Sequence, residues 1–184
     1  MKSPHYFVVR PNNGQRYDSI RKYGDKEFII SSSQEDHKVT NRIGIVESVP
    51  IGYDGDIKPG DFVVVHHNVF RIYYDMKGRE SSSWNHYKED VFILDIDQIF
   101  LYGTDEWKAP YPYCFVSPIE NDNSDILLSY DAEKYLHGNI VYIPDNDLLK
   151  PGDLVSFQPE SEYEFRINDK KLYRMKLKNL CLKI

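Results

Sequence analysis

The chain has 184 residues and a formal net charge of −6 at pH 7, with 41% hydrophobic, 14% aromatic and 28% charged residues. This balance is typical of a folded globular protein rather than a disordered one. The acidic charge argues against nucleic-acid binding, which needs a basic surface. No apolar run approaches the roughly 20 residues that cross a bilayer, so a membrane partner is not expected.

The first predicted strand, Tyr6 to Arg10, follows the N-terminus closely. We therefore expect no signal or transit peptide and a cytoplasmic location. Residues 12–40 then form a long polar stretch that is interrupted only by the apolar tripeptide Phe28-Ile29-Ile30. A stretch of this kind is uncommon inside a compact domain and is usually functional or mobile.

Three further strands are predicted in the first part of the chain, at Ile43 to Val49, Phe62 to His66 and Val91 to Tyr102. The second of these follows the segment Lys58-Pro59-Gly60-Asp61. Proline presets φ at the second turn position and glycine supplies a positive φ at the third, which predicts a type II turn. Val69 to Met76 could continue the pairing after the second of these strands, and residues 77–90 form a second polar excursion before the closing strand.

The chain then repeats itself. Four blocks return in the same order: Tyr6 to Pro11 as Tyr113 to Pro118, Gly44 to Pro50 as Gly138 to Pro144, Lys58 to Val63 as Lys150 to Val155, and Val91 to Leu101 as Leu172 to Leu182. Internal repeats decide the architecture before local patterns do. We predict an all-β protein of two tandem small antiparallel β-barrels, with domains at 1–102 and 113–184 and a linker at 103–112.

The second unit has shorter connections between its blocks. Ile126-Leu127-Leu128 occupies the place that corresponds to the apolar tripeptide of the first unit. Because the surrounding loop is shorter, a structural strand is the favoured interpretation there. A second binding segment remains the alternative.

No residue pattern calls for catalysis or a bound cofactor. Cys114 and Cys181 lie in apolar strand patterns, which favours reduced buried thiols in a cytosolic protein over a disulfide or a catalytic role. Asp61 and Asp153 each follow Pro-Gly and are expected to satisfy turn donors. The chain lacks a glycine-rich phosphate loop and a Gly-x-Ser-x-Gly elbow. The expectation is therefore a protein that is not an enzyme and that holds no cofactor.

The histidines at 66, 67 and 86 raise the question of a metal site. Adjacent residues on a strand point to opposite faces, so His66 and His67 are not expected to share one ion. Zinc sites also use closer ligand patterns than the spacing to His86 provides. Surface or loop histidines are the favoured interpretation, and no metal is expected.

The order of the repeated blocks resembles the GroES-type co-chaperonins of the chaperonin-10 family. That family has a short apolar first strand, a mobile loop with an apolar tripeptide, a Gly-x-Val-x-x-Val-Gly strand, a Lys-x-Gly-Asp turn and a final Asp-Ile-Leu segment. The corresponding segments here are Tyr6 to Arg10, Phe28-Ile29-Ile30, Gly44 to Pro50, Ile57 to Val63 and Val91 to Leu101. Pro50 and Pro144 stand where the family has glycine, and the short segments that follow them indicate that the family's roof hairpin is absent.

The resemblance implies a co-chaperonin that caps a GroEL-type chaperonin and assists ATP-dependent protein folding, with ATP bound and hydrolysed by the partner. It assigns chaperonin binding to Phe28, Ile29 and Ile30, with Ile126, Leu127 and Leu128 as the second-domain alternative. It also implies a homo-oligomeric ring, with seven chains as the expected number, in which the first strand of one subunit pairs with the last strand of its neighbour. Members of the family with a reduced roof occur in bacteriophages, so the resemblance also suggests a bacteriophage origin, with the host cytoplasm as the location of the protein.

Two alternatives remain open from the residues. The tripeptide could instead be an ordinary strand of the barrel with alternate side chains buried. The chain could also be a structural or virion-assembly module that uses the same barrel without binding a chaperonin, because a fold does not determine a function.

Overall fold

The computed structural model describes residues 1–17, 20–23, 26–29, 40–120, 133–167 and 170–184. The chain divides into two compact units, Met1–Glu106 and Trp107–Ile184. The boundary falls within the segment predicted as a linker. Both units are built from β-strands with a few short 3₁₀ turns, so the all-β prediction is confirmed.

The first unit contains ten strands among the described residues. They are β1 (Phe7–Pro11), β2 (Ile20–Tyr23), β3 (Lys26–Ile29), β4 (Ile43–Ser48), β5 (Phe62–Val65), β6 (Ile72–Tyr74), β7 (Glu80–Ser82), β8 (His86–Lys88), β9 (Val91–Leu94) and β10 (Ile99–Gly103). Six of them form one antiparallel sheet in the order β10-β5-β4-β1-β9-β8, while β2-β3 and β6-β7 are separate two-stranded sheets.

The second unit contains six strands among its described residues. They are β11 (Tyr113–Glu120), β12 (Glu133–Tyr142), β13 (Leu154–Phe157), β14 (Tyr163–Ile167), β15 (Lys170–Lys176) and β16 (Leu180–Lys183). Their sheet has the order β14-β15-β11-β12-β13-β16. Read from the other end, the first sheet has the same topology, with β8, β9, β1, β4, β5 and β10 as the respective counterparts.

The registers of the two sheets agree with the sequence repeat residue by residue. The pair Phe7↔Leu94 has the counterpart Cys114↔Met175. The pair Pro11↔Gly44 likewise returns as Pro118↔Gly138. A one-residue slip would move every side chain to the other face of the strand, so agreement at both ends of the first strand shows that the repeat is structural.

Each unit has its own apolar core at equivalent positions. Phe7, Val9, Val46, Val63 and Leu94 lie in the first core. Their counterparts in the second core are Cys114, Val116, Ile140, Val155 and Met175. The first core also contains the edge-to-face pair Phe70–Phe92, whose ring centroids are 4.8 Å apart. Burial of alternate strand residues therefore orders both sheets by the same pattern.

The predicted type II turn is confirmed in both units. Gly60 and Gly152 have φ values of +97° and +92°. Asp61 N donates to Lys58 O at 3.1 Å, and the same bond joins the equivalent pair of the second unit. Between β4 and β5, residues 49–61 form turns and no strand, which agrees with the expected loss of a roof hairpin.

The predicted closing strand from Val91 to Tyr102 is wrong as a single element, because a 3₁₀ turn at Ile96–Gln98 divides it into β9 and β10. The Asp95 side chain accepts a hydrogen bond from Ile96 N at 2.6 Å, and Asp95 N donates to Gln98 Oε1 at 3.2 Å. This reciprocal capping box satisfies donors that a continuous strand would have placed in the ladder.

Candidate functional site

The excursion between β1 and β4 carries the predicted chaperonin-binding residues. Phe28 and Ile29 lie on β3, which pairs with β2 in the register Ile20↔Ile29 and Arg21↔Phe28. This hairpin is a two-stranded sheet separate from the six-stranded sheet. Phe28 and Ile29 are therefore strand residues, but their backbone pairs outside the sheet in which an ordinary barrel strand would lie.

The other predicted binding residues fall outside the described part of the chain. Ile30 follows the end of β3, and Ile126, Leu127 and Leu128 lie between β11 and β12. Their roles in binding remain predictions that rest on the resemblance.

The two stems of the excursion are joined at its base. Tyr17 and Thr40 form an isolated antiparallel bridge, and Asn41 N donates to Arg16 O at 2.9 Å. The Asn41 amide nitrogen donates to Gln15 O at 2.7 Å, and its oxygen accepts from Ile43 N at 2.9 Å. Asn41 thus bonds both stems. We call the two joined segments, residues 15–17 and 40–41, the neck of the excursion.

Arg16 attaches this neck to the body of the unit. Its guanidinium donates to Phe70 O at 2.8 Å, to Arg71 O at 3.0 Å and to Ser82 Oγ at 3.1 Å. The same group lies over the Phe92 ring, 5.3 Å from the centroid. Burial lowers the pKa of Arg16, yet a guanidinium remains charged at any physiological pH. The planar guanidinium group suits this arrangement because it presents several hydrogen-bond donors in fixed directions.

Tyr17 adds a second attachment beside Arg16. Ile72 N donates to the Tyr17 hydroxyl oxygen at 2.6 Å, which ties the neck to the start of β6. Burial raises the pKa of Tyr17, so the neutral phenol is the form present. Four hydrogen bonds made by the Arg16 and Tyr17 side chains consequently hold the neck to the β6–β7 hairpin and to the two residues that precede it.

The β6–β7 hairpin presents exposed apolar side chains beyond this attachment. Its turn is organised by Asp75, whose carboxylate accepts from Lys77 N at 2.8 Å and from Arg79 N at 2.9 Å. Met76 in the turn and Trp84 after β7 are fully exposed. The sequence allows Val69 to Met76 to continue the pairing, and β6 lies there, but the prediction of a polar excursion for residues 77–90 misses β7 and therefore the hairpin. The turn residues Asp75 and Gly78 between the two strands are the signal for it.

The interpretation of the adjacent histidines is wrong in its geometry. His66 and His67 follow the end of β5 rather than lying on it, and their rings are stacked with centroids 4.2 Å apart. His66 Nδ1 accepts a hydrogen bond from Asn68 N at 3.2 Å. Within the described ranges, no group of three or more His, Cys, Asp or Glu side chains is arranged to hold a metal ion.

Asp61 and Asp153 have the turn role that was expected of them. Asp61 Oδ2 accepts from Lys58 N at 2.8 Å, and Asp153 Oδ2 accepts from Lys150 N at 2.9 Å. Asp153 alone of the two also pairs with Lys183 Nζ, at 2.6 Å. This contact is the main reason that the pKa of Asp153 is lowered.

The two cysteines differ in their surroundings. Cys114 is buried in the second core, and burial raises the pKa of its thiol to about 12. Cys181 on β16 is exposed, contrary to the expectation that both thiols are buried. Both cysteines are free thiols in this structure.

Comparison with known proteins adds no family assignment. No protein-family model matches the chain, and no curated protein matches it either. Among the residues that the structure describes, no helix has the length and apolar character needed to cross a membrane.

Proposed function

We propose that the chain is a GroES-type co-chaperonin, which forms a homo-oligomeric ring and caps a GroEL-type chaperonin during ATP-dependent protein folding. The observation that carries the proposal is the separate β2–β3 hairpin, which places Phe28 and Ile29 in an excursion outside the six-stranded sheet. A short apolar segment of this kind can enter an apolar groove on a partner.

The hydrogen-bonded neck also supports the proposal. Arg16 and Tyr17 fix where the excursion leaves the unit. A fixed origin reduces the conformational entropy that is lost on binding. In a ring, several weak contacts of this kind act together, because each later contact forms at a high effective concentration. ATP would be bound and hydrolysed by the chaperonin, and the co-chaperonin would hold no cofactor.

The experiment is co-sedimentation of the full chain with a GroEL-type chaperonin in ATP, in ADP and without nucleotide. We expect nucleotide-dependent binding that Ile29→Asp weakens by about tenfold or more, because a charge opposes entry into an apolar groove. Ile51→Asp is the matched control, since Ile51 is an exposed isoleucine of the same unit that lies outside the excursion.

Two other results would redirect the assignment. Binding that survives Ile29→Asp and is lost in Leu127→Asp would move the site to the second unit. Absence of binding in every nucleotide state would contradict the co-chaperonin proposal. The structural or virion-assembly module would then be the better account. The observation that favours that module is the regular pairing of β2 with β3, because this part of the excursion forms a sheet without a bound partner.

A further inference from the structure

The four strands at the ends of the two large sheets differ in how they are protected. An edge strand exposes unpaired backbone groups and usually carries charges or a cover that prevents further pairing. β8 is three residues long and bears the exposed Lys88. β14 bears the exposed Glu164 and Arg166. Residues 99–102 of β10 are buried. β16 is not buried, and it carries a single exposed charged residue, Lys183.

β16 exposes apolar side chains on one face. Leu182 pairs with Ser156, and Ile184 N donates to Leu154 O at 2.8 Å, which places both apolar side chains on the same side of the sheet. Leu182 is 65% exposed and Ile184 is 60% exposed. The counterpart of Leu182 in the first unit is Leu101, which occupies the same register opposite Val64 and is 0% exposed.

The charge on β16 is already compensated within the chain. Lys183 is the only charged residue of the strand, and its ammonium group lies 2.6 Å from Asp153 Oδ2. Two copies of this edge can therefore meet without uncompensated like charges. β8 and β14 also carry exposed charged residues, and those of β14 pair with one another and with Lys171, while β10 is buried. β16 differs from these three edges in presenting two exposed aliphatic side chains, Leu182 and Ile184, so the edge that matches it best is a second β16.

A groove beside β16 provides further apolar surface. It has a volume of about 280 Å³ and is lined by Leu148, Leu149, Leu180 and Leu182 together with Asn146 and Lys183. Leu148 is 81% exposed. Apolar side chains from a partner strand could enter a groove of this size, and the side chains at its rim would lose their contact with water.

We propose that β16 is a self-association strand, at which two copies of the chain pair antiparallel about a two-fold axis. Antiparallel pairing of identical strands is self-complementary, because each residue pair occurs twice across the axis. It satisfies the backbone groups of both edges and buries Leu182 and Ile184 of each copy. This contact goes beyond the co-chaperonin proposal and does not depend on it, since it joins chains in pairs whether or not they bind a chaperonin.

The first test measures the mass of the full chain in solution by sedimentation equilibrium, from roughly 1 to 100 µM, the range in which weak pairs form. We expect an even number of chains, which is fourteen if two rings of the seven chains that the resemblance implies are joined through β16. Leu182→Asp should weaken this association at least about tenfold. Ile184→Asp should have the same effect. Ile51→Asp is the control, because Ile51 is also 65% exposed but lies in the first unit, and it should leave association unchanged.

The second test uses the exposed thiol of Cys181 as a reporter. A short bis-maleimide should join two chains through Cys181 and give a covalent dimer in denaturing gels. Cys181 lies beside the centre of β16, so its two copies are diagonal neighbours, about 8 Å apart, in a centred antiparallel pair. Cys181→Ser should abolish this product without changing the mass in solution. A monomer at every concentration, an odd number of chains, association that both aspartate variants leave intact, or an assembly without the covalent dimer would each overturn the proposal.

Discussion

Gly44 on β4 lies directly against Val9 on β1. A methyl group at Gly44 would approach Val9 Cγ1 to 2.5 Å, Arg10 O to 3.0 Å and the edge of the Phe70 ring to 3.1 Å. All three neighbours belong to the core or to the backbone and cannot move away freely. The glycine is therefore required by the close approach of two paired strands.

We expect Gly44→Ala to lower the free energy of unfolding by about 2 kcal/mol, because the added methyl group overpacks a filled core. Gly78→Ala is the control. Gly78 has a φ of +73° and open space around it, so only the backbone strain of about 1 kcal/mol applies. Urea unfolding followed by circular dichroism measures both. Equal losses in the two variants would contradict the packing explanation.

Arg16→Ala should destabilise the first unit by about 2 kcal/mol, because three acceptors lose their donor and Phe92 loses a cationic neighbour. It should also speed proteolysis between residues 17 and 40, since only the Tyr17–Ile72 bond would still tie the neck to this part of the unit. Arg79→Ala is the matched variant. Arg79 forms one exposed ion pair with Asp75, and its removal should cost less than about 1 kcal/mol. A similar effect of the two variants would argue against a special role for the neck.

Asp153→Asn should remove a pH-dependent part of the stability of the second unit. The pKa of Asp153 is lowered in the folded chain, mainly by the Lys183 ammonium group, so the unfolded chain binds the proton more readily. The stabilisation is complete above the unfolded pKa of about 3.9 and is lost as the pH falls through the lower folded value.

Asparagine keeps an acceptor for Lys150 N, so the substitution isolates the charge. Unfolding of wild type and variant between pH 7 and pH 2 provides the measurement. The difference between them should be constant above about pH 5 and shrink below about pH 4. A difference that stays constant to pH 2 would show that the Lys183 contact contributes nothing.

Thiol titration should separate the two cysteines. Cys181 is exposed and should react promptly with an aromatic disulfide reagent. Cys114 should react only after unfolding, since burial raises the pKa of its thiol to about 12 and the thiolate is the reactive form. Cys181→Ser should leave no prompt reaction in the folded chain. Prompt reaction of both thiols in the wild type would contradict the burial of Cys114.

The repeat could be predicted from the sequence because paired strands tolerate no change of register. The blocks that begin at Gly44 and Gly138 align in the sequence, and both glycines face a β-branched valine in the structure. The turns at Gly60 and Gly152 were equally predictable, since a positive φ after proline favours glycine.

The features that sequence analysis missed depend on side-chain contacts between distant segments. The capping box of Asp95 and Gln98 was visible in the spacing, but an apolar run on both sides favoured one continuous strand. The bond from Arg16 to Phe70 O joins residues 54 positions apart, and no local pattern predicts it.

The pairing of the first strand was not predictable from a local pattern either. β1 lies between β4 and β9, so both of its edges are occupied within one chain. This arrangement differs from the family's mode of joining subunits, in which the first strand pairs with a neighbour.

The equivalent pairs Pro11↔Gly44 and Pro118↔Gly138 mark the same position in the two units for an insertion between their first two large-sheet strands. Segments inserted at this position are interchangeable in principle between the two units, because the paired strands on either side of the insertion keep their register. Transfer of residues 12–43 into the second unit would therefore give a chain with two such excursions. The repeat thus makes the number of excursions a property of the loops, adjustable without any change to either core.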